Sequence, residues 1–116
     1  MALSKGRDAL TLNSRGNARG AVGDWEGAKA DFESAAQDSL LFAIARANYA
    51  LAAFETGDAD AAIRAARGLL RRDPEFWDAR AFLTAFLWAE GKESGEIYLL
   101  THFVVRRLNP SAAGRG

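Results

Sequence analysis

His102 is the chain's single histidine and the first side chain to test for acid–base or metal chemistry. A general base needs an orienting partner, and a metal ion needs several ligands at suitable spacing. The 116 residues contain no cysteine and no second histidine, and no carboxylate lies three or four positions from His102. It reads as an ordinary surface or edge residue. Gly16, Gly20 and Gly23, in RGNARGAVG, superficially suggest a dinucleotide loop, but the spacing is not G-x-G-x-x-G and no strand precedes it. Lys92, in AEGKES, has no Ser or Thr directly after it and no earlier P-loop glycine. No catalytic, cofactor-binding or metal-binding set emerges. The expectation is a protein that is not an enzyme and needs no cofactor.

Charge is the next candidate for function. Asp24, Glu26, Asp31, Glu33 and Asp38 cluster in one stretch, whereas Arg64, Arg67, Arg71 and Arg72 fill a later one. The plain reading places both on solvated helix faces, acids near a helix start and bases near its end, where they offset the helix dipole. The sharper one lets the opposite charges steer a partner or a head-to-tail self-association. Fifteen basic and fifteen acidic residues cancel overall, which disfavours a nucleic-acid partner. No run of 18 apolar residues exists to span a membrane. The first 23 residues carry a basic excess, with Asp8 the only acid, but a helical pattern from about Ala9 leaves little room for a leader. The lack of cysteine fits an intracellular, soluble protein.

The elements that position these side chains are helices. Ala and Leu dominate the apolar residues, proline occurs twice, and β-branched residues are sparse before residue 97. Gly23, Gly57 and Gly91 mark three turns spaced 34 residues apart, with Asp24 and Asp58 following the first two as helix N-caps. About 14 helix-prone residues flank each turn on either side. The register repeats as well. Gly16, Ala50 and Thr84 stand seven residues before a turn, Ala28 and Ala62 five after it. Phe32, Ala66 and Leu100 follow, then Ala35, Leu69 and Phe103. Small residues at these points allow close helix approach, and larger ones fill the gaps between units. Pro74 closes the second hairpin. The predicted fold is all-α, an α-α superhelix of three helix-turn-helix units at about 9–42, 43–76 and 77–110. Residues 1–8 form a short lead and 111–116 a flexible tail.

These residues resemble the tetratricopeptide repeat (TPR) family. NSRGNARGAVGDWEGAKADFESAAQ has the family's small residue, its Gly-Asp-aromatic turn (Gly23, Asp24, Trp25), its alanine and its Phe32. ANYALAAFETGDADAAIRAARGLLRRDP matches nearly as well, ending in the family's Asp-Pro, and the similarity runs from about Ala9 to Lys92. The wording is most similar to TPR proteins of cyanobacteria and plastids, which implies a plastid location, with the cytoplasm as alternative. The third unit departs from the pattern. Lys92 replaces the aspartate, Glu96 the small residue, and Gly95 interrupts. A degenerate closing helix with Ile97, Leu100, Val104 and Leu108 at helical spacing is expected there, without the usual charged cap, with a poorly packed or strand-like tail as the alternative.

The resemblance implies a concave groove lined by the first helix of each unit: Asn13, Asn17, Asn48, Leu51, Phe54, Phe82 and Trp88 are its expected lining, with Asp78 beside them, and core packing is the alternative for each of the aromatics. Chaperone-binding members hold a C-terminal carboxylate between two asparagines and three basic residues. Asn17 and Asn48 match the asparagines, but Asn13, Asp78 and Phe82 occupy the basic positions, so chaperone C-termini are not expected ligands. What remains suits an extended or helical peptide with an apolar anchor. The implied function is a non-catalytic protein–protein interaction scaffold with a protein partner. The alternative is a structural oligomerisation module that self-associates through the uncapped third unit at Leu100 and Val104.

Overall fold

A computed structural model of the chain describes residues 5–91. Within them the fold is all-α: α1 (Lys5–Ala21), α2 (Trp25–Ala35), α3 (Phe42–Glu55), α4 (Ala59–Arg72) and α5 (Trp77–Ala89), with no strand among the described residues. Each helix packs on the next in sequence, and α3 also touches α1 and α5. The result, among the described residues, is two helical hairpins followed by a fifth helix. Helix α1 begins at Lys5, inside the stretch expected as a lead. The expected closing helix, with Leu100, Val104 and Glu96, lies outside the described residues.

The turns form by the same chemistry each time. Gly23, Gly57 and Gly91 have φ of 87°, 95° and 68°, the left-handed region that costs an L-residue about 1–2 kcal/mol. At the first two, the amide after the glycine reaches back five residues, from Asp24 to the Arg19 carbonyl at 2.8 Å and from Asp58 to the Ala53 carbonyl at 2.9 Å. That closes the helix end. The same aspartates then open the next helix: Asp24 Oδ1 accepts from the Gly27 N–H at 3.0 Å, Asp58 Oδ1 from the Ala61 N–H at 3.1 Å. One residue thus ends one helix with its backbone and starts another with its side chain.

Packing relies on small side chains. Among the described residues, thirteen of the nineteen buried apolar side chains are alanine, so helix axes come close with little side chain between them. Gly16 lies under Phe32, and Gly20 under Trp25. Ala28, Phe32 and Ala52 join α2 to α3. Ala50 and Ala53 meet Ala62, Ala65 and Ala66 across the second hairpin, and Leu83, Phe86 and Leu87 extend that core to α5. The register expected at Ala28, Phe32, Ala35, Ala50, Ala62, Ala66 and Leu69 is the buried one.

One charged residue breaks the expected pattern. Asp31 is not on a solvated face: it is buried within α2. Arg15 grips its carboxylate from α1 with two bonds, Nε to Oδ2 at 2.9 Å and Nη2 to Oδ1 at 2.8 Å, and Arg19 Nη1 approaches at 3.4 Å. A planar guanidinium fits a carboxylate in this two-pronged manner, so the pair sets the register of α1 against α2. Asp38 is also engaged, its Oδ1 accepting from the Leu40 and Leu41 N–H groups at 2.9 and 3.2 Å. It holds the bend between the hairpins.

Candidate functional site

The first helices α1, α3 and α5 are equivalent under the 34-residue shift, so residues 10, 44 and 78 form one row across them. Further rows are 14, 48 and 82; then 17, 51 and 85; then 20, 54 and 88. On each helix these positions recur every three or four residues and share one face. A side-chain bond between the first two helices fixes their relation: Asn48 Nδ2 donates to Asn13 Oδ1 at 3.2 Å. That bond leaves each amide with further donor or acceptor capacity.

The expected groove residues fall into two groups. Asn17 is exposed, Asn13, Asn48 and Leu51 are half-buried, and Trp88 is 69% exposed. These can meet a ligand. Phe54 and Phe82 are occupied differently. Phe54 stacks on Phe86 with ring centroids 4.6 Å apart, Phe82 on Phe86 at 5.9 Å, and both pack against the core. Phe54 thereby braces α3 against α5, while Phe82 stacks along α5, and both rings are half-buried. Of the three expected aromatics, only Trp88 stands clear of the core.

Two residues on the same face escaped the sequence reading. Leu10 is 56% exposed and Ile44 52% exposed, in the row that ends at Asp78. The signal was available, because both share the repeat register of Asp78, already placed in the groove. Together with Trp88 they are the large apolar residues that the described helices leave exposed; the others, Val22 and Leu40, lie in connections.

Electrostatically the pair of greatest consequence is Arg15–Asp31. The Arg15 hydrogen bonds hold the Asp31 carboxyl below the usual carboxylate range, against an opposing push from burial. The same bonds raise the Arg15 guanidinium. Burial lowers Arg80, whose Nη2 donates to the Pro74 carbonyl and ties α5 to the preceding turn. These groups fix structure and do not converge on a reactive centre. His102 lies outside the described residues, as do Leu100 and Val104. No described helix is long and apolar enough to cross a membrane. Neither protein-family models nor curated proteins match the chain.

Proposed function

We propose that this chain is a non-catalytic adaptor of the TPR type, whose α1–α3–α5 face binds a peptide or helix of another protein. The observation that carries this reading is where the large apolar side chains fall. Leu10, Ile44 and Trp88 are exposed, and all three stand on the face that also presents Asn13, Asn17, Asn48 and Leu51. Apolar anchors beside amide donors and acceptors suit a peptide whose side chains are buried while its backbone is hydrogen-bonded. Turn glycines and aspartate caps at a 34-residue period support the TPR reading.

The test is a peptide display selection against the chain, followed by amide chemical-shift mapping of the bound peptides. Shifts should cluster at Leu10, Asn17, Ile44, Leu51 and Trp88, and Trp88→Ala should weaken binding roughly tenfold or more. Shifts confined to α2 and α4, or full binding by Trp88→Ala, would overturn the reading. Phe82→Ala is a poor probe here, because it unstacks the core along with the groove.

A further inference from the structure

Away from the middle of that face, an open cleft of about 380 Å³ lies where the bend between the hairpins meets the end of α4. Phe42, Ile44, Leu69 and Phe76 supply most of its apolar lining, and Arg72 and Asp73, both exposed, complete it. Leu40 also borders the cleft and is 87% exposed, the most exposed large apolar residue described. An apolar knob therefore stands beside an apolar hole on one surface.

We propose that a second copy of this chain docks here, each copy placing Leu40 in the other's cleft. Two-fold pairing requires a surface complementary to itself, and a knob next to its own hole meets that condition. The charges meet it too. Arg72 is exposed, its guanidinium resting on the Phe42 ring at 4.2 Å, and it makes no ion pair among the described residues. Asp73 is its exposed neighbour of opposite sign. A two-fold arrangement sets Arg72 of each copy against Asp73 of the other, which selects the register of the pair. A chain with equal numbers of acids and bases adds no net repulsion. The patch is small, so the dimer is weak and reversible. This surface is separate from the α1–α3–α5 groove except at Ile44, which borders both.

Sedimentation velocity from micromolar to millimolar concentration tests the proposal on the full chain. The wild type should shift from monomer to dimer, and Leu40→Glu should weaken association roughly tenfold or more. Leu40 is exposed, so this variant should keep its far-UV circular dichroism. Arg72→Glu and Asp73→Lys, each alone, juxtapose like charges and should stay monomeric. Mixed, they restore both contacts and should form a heterodimer, which also shows that each variant is folded. A wild type that stays monomeric at millimolar concentration overturns the proposal. So does a dimer that Leu40→Glu leaves intact, or a mixture that associates no better than its components.

Discussion

Replacing a helical glycine by alanine normally stabilises a protein by about 1 kcal/mol, through helix propensity and a less flexible unfolded chain. This chain should show both signs of the effect. At Gly68, in α4, an added Cβ finds only Arg71 Nη2 at 3.7 Å, an ordinary contact with the end of a flexible side chain. Gly68→Ala should gain close to the full amount. At Gly16, in α1, the same Cβ would stand 2.5 Å from Phe32 Cε1 and 2.8 Å from Cδ1. The ring must retreat by about 1 Å in an interior packed like a crystal, and Phe32 is only 3% exposed. Overpacking of that kind costs about 1–3 kcal/mol, and the propensity gain offsets the lower end of that range. The net expectation is a loss of up to about 2 kcal/mol, or a melting temperature lower by up to roughly 10 °C.

Thermal and urea unfolding of the two variants, followed by circular dichroism, measure the contrast. Adding Phe32→Leu to Gly16→Ala makes room and should recover part of the loss, a coupling that independent sites do not show. A Gly16→Ala protein that gains as much stability as Gly68→Ala would refute close α1–α2 packing over Phe32. A destabilised Gly68→Ala would refute the uncrowded placement of Gly68 in α4.

Three further outcomes follow from the same contacts. Asp31 has its carboxyl pKa depressed in the folded state, so the Arg15 clasp stabilises the fold above the ordinary aspartate value of about 3.9 and is lost as the pH falls through the depressed one. Acid titration of stability should therefore show a steeper loss below about pH 4 in the wild type than in Asp31→Asn. Ala28→Glu forces a charge against Phe32 and Ala52, where Ala28 is fully buried. It should cost several kcal/mol and unfold the first hairpin, seen as lost helical signal. Trp88→Ala, by contrast, should change stability by less than about 0.5 kcal/mol in urea unfolding, because the ring is mostly exposed.

The hairpins were legible because their signals are local. A glycine at positive φ followed by a capping aspartate has few alternatives, and the repetition of Gly23-Asp24 at Gly57-Asp58 fixes the period. Small residues in register, such as Ala28 and Ala62, follow from it. Asp31 was missed because its partner Arg15 lies on another helix, 16 residues away. Sequence proximity grouped Asp31 with its acidic neighbours. Helical period groups it with Ala28, Phe32 and Ala35, the stripe that α2 buries. The aromatic end of the groove was only partly legible for a similar reason. Phe54 and Phe82 sit in groove register, but Phe86, one turn beyond Phe82, draws both rings inward. The start of α1 at Lys5 left no apolar pattern to read.

Where the apolar side chains lie bears on function more directly than any one of them. Stability alone favours large side chains inside, since each buried methylene contributes about 0.8 kcal/mol. Here the interior is mostly alanine, while Leu10, Ile44, Leu40 and Trp88 are left largely in water. Isolated exposed apolar residues are ordinary, and each taken singly carries no message. Their grouping does. Leu10, Ile44 and Trp88 share one face of three equivalent helices, and Leu40 stands by the cleft that Ile44 also borders. Alanine packing supplies the physical link between the two observations. Axes held close by small residues leave little room between helices for larger side chains, which must then project from the outer faces. The same choice that makes the hairpins thin thus leaves apolar side chains exposed on two adjacent surfaces: the α1–α3–α5 face, at Leu10, Ile44 and Trp88, and the rim of the cleft beside Leu40.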